Sequence, residues 1–96
     1  DDANALELLG SYPNPCHGEA EVRYRVPDGI SGLRLEIFDL TGRALQSIPL
    51  TVSGGTAGEY STRVTFTAGS GLCLCRLCAT VGGVEVSSQA KRVIIR

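Results

Sequence analysis

From Glu19 to Val26 the chain alternates without a fault. Ala20, Val22, Tyr24 and Val26 share one face, and Glu19, Glu21, Arg23 and Arg25 share the other. A period of two is that of a half-buried β-strand. Leu33 to Phe38 repeats the pattern, with Leu33, Leu35 and Ile37 opposing Arg34 and Glu36, and Glu59 to Phe66 repeats it with Tyr60, Thr62, Val64 and Phe66 together. Leu72 to Ala79 is apolar on both faces except at Arg76, which predicts a central strand covered on both sides. Ala44 to Thr51 is expected to return as a strand weakened by Pro49. Val84 to Arg96 is expected to supply one long final strand or two broken ones. Leu6, Leu8 and Leu9 are candidates for a short first strand.

Turn signals separate these stretches. Pro13 and Pro15 in Ser11-Tyr12-Pro13-Asn14-Pro15 keep that segment out of a central ladder. Pro27-Asp28-Gly29 ends one strand, and Gly82-Gly83 turns another. Asp39-Leu40-Thr41-Gly42-Arg43 reads as a hairpin connection, with Asp39 accepting from the turn's own amides and Gly42 free to take a left-handed conformation. Ser53 to Gly58 is expected as a loose loop and Ala68 to Gly71 as a turn. About seven antiparallel strands at roughly 12-residue spacing, with no helix, predict an immunoglobulin-like β-sandwich. A closed barrel is the second choice. Residues 1–9 read as a linker and residues 10–96 as one domain.

Composition narrows the picture further. The 96 residues are 43% hydrophobic and 20% charged, which argues against disorder. They include 12 glycines but no Trp and no Met, as expected of a turn-rich β-domain. A net charge of −1 argues against general nucleic-acid binding. The charge is unevenly placed, however. Residues 1–48 carry eight acids and four bases, and residues 49–96 carry two acids and five bases. Three of those bases, Lys91, Arg92 and Arg96, stand in the last six residues. No apolar run approaches the roughly 20 residues that span a bilayer as a helix. The acidic opening, without Met and without a basic-then-hydrophobic leader, is expected of a piece of a longer protein.

Chemistry has few candidates. His17, the one histidine, stands beside Cys16, but neighbours on a strand point to opposite faces, which works against a nucleophile–base pair. No catalytic residue and no cofactor are expected. Cys73-x-Cys75-x-x-Cys78 has soft ligands but lacks the tight turn of a zinc site, because Cys73 and Cys75 share a face while Cys78 points away. No metal site is expected. Two readings of the thiols stay open: small apolar core residues, or a disulfide of Cys16 with Cys73 or Cys75. The tail Lys91-Arg92-Val93-Ile94-Ile95-Arg96 is either a final strand with solvated ends or a recognition tag, and an exposed final strand can also add to a partner's sheet edge.

Four blocks, in this order, resemble the C-terminal sorting domain of proteins exported by the type IX secretion system of Bacteroidetes. They are Ser11-Tyr12-Pro13-Asn14-Pro15 with the strand Val22 to Pro27, the segment Leu35 to Arg43, Ser70-Gly71-Leu72-Cys73-Leu74-Cys75-Arg76-Leu77, and Lys91 to Arg96. The resemblance runs from about Leu8 to Arg96. It implies a seven-stranded immunoglobulin-like sandwich that is not catalytic and serves as a transport address. Such a domain carries an N-terminal cargo through the periplasm and across the outer membrane, so that the product is secreted or held at the cell surface. The implied partners are the outer-membrane translocon, shuttle proteins and a sortase, which usually removes the domain and anchors the cargo. Nucleic acid is not among them. Lys91, Arg92, Val93, Ile94, Ile95 and Arg96 are implied as the signal, with Asp39, Gly42, Arg43 and Gly71 as further recognition positions. Arg43 is the more informative residue of its turn, because a turn does not require it.

The chain departs from the family where aromatics are usual: Cys16 follows the Pro-Asn-Pro block, Cys73 follows the Ser-Gly pair, and Cys75 holds a further aromatic site. A disulfide among them would restore about 2–4 kcal/mol. The competing reading is an immunoglobulin-like binding or spacer module of a secreted protein. A glycan-binding face usually displays aromatics, and of Tyr12, Tyr24, Tyr60, Phe38 and Phe66 at least three fall on core-facing positions.

Overall fold

The computed structural model describes residues 6–52, 56–67 and 69–96. The expected linker residues 1–5, the centre of the loop at 53–55 and position 68 of the expected turn lie outside the described residues. The fold is all-β, with eight antiparallel strands in two sheets. In chain order these are β1 (Glu7–Tyr12), β2 (Glu19–Val26), β3 (Ile30–Phe38), β4 (Ala44–Pro49), β5 (Gly58–Thr65), β6 (Gly71–Val81), β7 (Val84–Ser87) and β8 (Lys91–Ile95). One sheet has the order β1-β2-β5. The other has the order β4-β3-β6, and both β7 and β8 lie along the far edge of β6. The two sheets stack as an immunoglobulin-like sandwich rather than closing into a barrel.

The alternating strands are placed as their patterns require. Every second residue of β2 is buried, from Ala20 to Val26. Leu33, Leu35 and Ile37 of β3 face them from the other sheet. The structure sharpens several strand limits. β1 begins at Glu7, inside the stretch read as linker, because Leu6 and Leu8 are buried in the core. β3 starts at Ile30, ahead of a register shift between Ser31 and Arg34 where Gly32 has φ +64°. The segment Val84 to Arg96 takes the second of its two expected forms, two strands, which brings the total to eight where about seven were expected. The break has a specific cause. The Ser88 side chain accepts the Leu77 N–H at 2.9 Å, and the Ser88 N–H donates to the Leu77 carbonyl at 2.9 Å. The ladder is thus patched by a side chain between its β7 and β8 halves.

β6 is central, as expected, but its outer side is covered only at Cys78, which is buried beside Arg34 and Glu36. Cys73, Cys75, Leu77 and Ala79 face the core and are buried. On the outer face, Leu72, Leu74 and Arg76 are only partly covered. Charged groups occupy the rest of that face. Arg34 pairs with Glu36 at 2.9 Å and with Glu85 at 2.5 Å, while Arg76 reaches Glu36 at 3.5 Å and lies over the Phe38 ring at 4.8 Å.

Tyr24 is the largest fully buried side chain, at 0% exposure. It stacks on Tyr60 with ring centroids 6.2 Å apart. Its hydroxyl donates to the Thr51 carbonyl at 3.1 Å. A phenol has one proton, so the 2.6 Å contact with Thr62 must use the Thr62 hydroxyl as donor. Tyr24 thereby ties the chain beyond β4 to β5 from inside the core. Replacing Tyr24 with Phe keeps the ring but strands both partners. The variant should lose about 1–2 kcal/mol in urea unfolding, with an unchanged fold by circular dichroism.

Candidate functional site

The implied recognition residues gather at one end of the larger sheet. β8 lies antiparallel on β6, with Gly71 opposite Ile95, Cys73 opposite Val93 and Cys75 opposite Lys91. Val93 and Ile95 point inward and are buried at 0% and 5% exposure. Lys91, Arg92, Ile94 and Arg96 are exposed. The six-residue tail is therefore two things at once: core residues facing in and a basic strip facing out.

The other edge of β8 is also occupied. The Asn14 side-chain amide donates to the Arg92 carbonyl at 3.1 Å, and its oxygen accepts from the Ile94 N–H at 3.0 Å. Cys16 continues the pairing through its backbone. Its N–H donates to the Ile94 carbonyl at 2.9 Å, and its carbonyl accepts from the Arg96 N–H at 2.8 Å. Asn14 stands between two prolines, which have no N–H to give, so a side chain makes the pairing that the backbone cannot. The role of Asn14 was not evident from sequence. Its one signal is a carboxamide flanked by prolines. This arrangement works against the possibility that the final strand adds to a partner's sheet edge, because its outward backbone groups from the Arg92 carbonyl to the Arg96 N–H are engaged.

The Asp39–Arg43 turn is built on one carboxylate. Asp39 Oδ1 accepts from the Thr41 N–H at 2.9 Å, the Thr41 hydroxyl at 2.6 Å and the Arg43 N–H at 3.0 Å. The Thr41 hydroxyl and these amides hold the Asp39 carboxyl below its ordinary range. Gly42 has φ +91°, where a Cβ is strained although open space surrounds it. Arg43 reaches Asp39 Oδ2 at 3.3 Å. Arg43 thus has a local partner in the turn's central acid as well as an exposed position. Gly71, at φ +130°, opens β6 in a conformation that side chains rarely adopt, so backbone geometry alone accounts for glycine there.

Turn and tail meet on the outer face. Phe38, at the end of β3, is opposite Leu74, and Leu74 is opposite Arg92. Between them lies a hollow of about 280 Å³ lined by Phe38, Gly42, Leu74, Arg76 and Ala90. A second opening, about 150 Å³, lies at the seam between β1 and β8. Leu8, Val22 and Cys75 line it, and Asn14, Lys91 and Arg92 are at its rim.

All four cysteines are free and buried. The disulfide of Cys16 with Cys73 or Cys75 is absent from the structure, and topology explains why. Cys16 pairs with the edge of β8 away from β6, so β8 separates it from the strand that bears Cys73 and Cys75. Two strand spacings put those Cα atoms about 10 Å apart or more, beyond the ~7 Å limit for a disulfide. Burial pushes the Cys73 and Cys78 thiols up, and it pushes Cys75 up to about 11. Cys16 is fully buried while His17 is exposed, so the two do not form a nucleophile–base pair. Among the described residues no three His, Cys, Asp or Glu side chains converge to hold a metal ion.

No protein-family model matches the chain, and no curated protein matches it at a significant level. A solved structure does. The chain is similar to a part of dimeric latent PorU from Porphyromonas gingivalis. Identity is 25% and the TM-score is 0.75. The likeness covers 95% of this chain but only 9% of that one, so the chain corresponds to a small share of PorU. PorU is a type IX secretion protein.

Two outcomes are expected from this geometry. Asn14→Ala should leave the fold intact, cost about 1 kcal/mol, and speed hydrogen exchange at the Ile94 amide, as measured by NMR. A thiol reagent at pH 8 should modify none of the four cysteines of native protein in the time it modifies all four in denaturant. Two reactive thiols in denaturant instead of four would establish a disulfide.

Proposed function

We propose that the chain is a non-catalytic C-terminal sorting domain, a folded address that directs a cargo at its N-terminal side through the periplasm and across the outer membrane by the type IX system. The observation that carries this reading is the likeness to part of PorU over 95% of the chain. Its basic tail and its Asp39–Arg43 turn, distant in sequence, lie at one end of one sheet, which suits a single recognition event. The implied partners are the translocon, the shuttle proteins and the sortase of that system. Cleavage of the domain would fall in the stretch before β1.

The geometry decides how the reading is tested. Removing residues 91–96 would also remove Val93 and Ile95 from the core, so a deletion confounds address with stability. Charge reversal at exposed positions does not. Residues 1–96 are fused after a fluorescent reporter with an N-terminal export signal, in a bacterium that has a type IX system. The intact fusion should reach the surface or medium, and the reporter alone should stay in the periplasm. Reversing Lys91, Arg92 and Arg96 to Glu should cut surface reporter by about tenfold or more, the equivalent of losing ~1.4 kcal/mol of recognition. If the intact fusion stays in the periplasm, the sorting reading fails and a binding or spacer module replaces it.

A further inference from the structure

The outer face of the larger sheet carries an apolar row that no other part of the described chain covers. Leu72 and Ile94 are directly paired across β6 and β8, and remain 38% and 40% exposed. Leu74 and Phe38 continue the row to the 280 Å³ hollow. Alternation puts Arg92 and Arg96 on the same face as Ile94. Among the described residues neither has a carboxylate partner, whereas Asp39, Glu36 and Glu85 on this side are already engaged by Arg43, Arg34 and Arg76. The face is therefore apolar at its centre and carries uncompensated positive charge at its rim. A soluble domain seldom leaves such a combination without a use.

We propose that this face is a docking surface for an acidic protein segment that places one apolar side chain in the hollow between Phe38, Gly42 and Leu74, with its carboxylates against Arg92 and Arg96. The charge complementarity selects the occupant. A second copy of the chain has no matching face: on the outer face of the smaller sheet Arg23 pairs with Glu59, Arg25 with Glu7 and Arg63 with Glu19, which leaves Glu21, bonded by the Ser61 hydroxyl, as a lone carboxylate against two arginines. A lipid surface would engage Leu72 and Ile94 alone, whereas the hollow beside Phe38 and Leu74 suits a single inserted side chain. A buried anchor within a charged rim is how protein interfaces are organised. The proposal rests on the sorting reading for its setting, and its test needs no export machinery, so either can fail alone.

The test is an NMR titration of isotope-labelled 1–96 with a short synthetic peptide of one Phe flanked by Glu residues. Amide shifts are expected at Phe38, Leu74, Arg76 and Ile94, and not on β1, β2 or β5. The same peptide with Ser for Phe, or Lys for Glu, should bind at least about tenfold more weakly. In the Arg92→Glu, Arg96→Glu double variant the preference should invert, with the Lys-flanked peptide now the better ligand. A well-dispersed spectrum of that variant shows that folding is intact. No shifts at ~1 mM Glu-flanked peptide, the weak end of specific recognition, overturn the proposal, as do shifts centred elsewhere. Binding to phosphatidylglycerol vesicles through this face, without peptide binding, also overturns it and reassigns the face to a membrane surface.

Discussion

β8 has both backbone edges in use, and most of the functional argument depends on that. β6 pairs with one edge, and Asn14 and Cys16 pair with the other. A strand at the end of a chain is ordinarily the easiest element to fray, and an open strand edge is a template for pairing with another chain. Here neither outcome is favoured. Val93 and Ile95 are part of the core, so peeling β8 away would uncover apolar surface as well as break both sets of hydrogen bonds. Whatever recognises this end of the molecule meets side chains on a finished sheet, and not a loose peptide.

The same physical solution recurs at another corner. The Gln46 amide donates to the Thr65 carbonyl at 2.9 Å, and its oxygen accepts from the Thr67 N–H at 2.9 Å. Asn14 fastens the β1 side of the smaller sheet to β8, and Gln46 fastens β4 to the end of β5. A carboxamide carries N–H donors and a carbonyl acceptor side by side, as a peptide group does, so it can join a ladder that its own backbone does not reach. Two such clasps close the sandwich where the sheets part. They hold elements together without a covalent bond, in a domain whose four thiols stay unpaired. The 150 Å³ opening beside Cys75 sits at the clasped seam.

The limits of sequence reading follow from the range of the interactions involved. β2, β3 and β5 were legible because alternation is local: each residue's face is settled by its neighbours. The opposite facing of Cys73 and Cys75 against Cys78 was legible for the same reason. What lay between Cys16 and those cysteines was not, because it depends on where β8 docks. Asn14, Gln46 and Ser88 act on backbone far along the chain or across a strand gap, and no periodicity announces them. The outer face of β6 was misjudged for a related reason. Leu72 and Leu74 look like buried residues to any rule that weighs hydrophobicity, yet the sandwich has only two layers and nothing in the described chain forms a third. The Asp39–Arg43 turn was legible as a turn, while the pairing of Arg43 with Asp39 needed coordinates.

The charge imbalance between the two halves of the sequence acquires a meaning only in three dimensions. β1, β2 and β5 interleave their acids and bases into cross-strand pairs, so the smaller sheet's outer face is nearly neutral by construction. Exposed pairs of this kind add little stability, but they leave that face with little electrostatic preference for any partner. The excess of bases in the second half is concentrated instead in β8 and beside it. Alternation then divides the work within a single strand. Val93 and Ile95 act on anything outside only through the fold they maintain, while Arg92, Ile94 and Arg96 act only through what they present. A substitution at Val93 and one at Arg92 can therefore produce the same failure for unrelated physical reasons, and stability measured alongside recognition separates them.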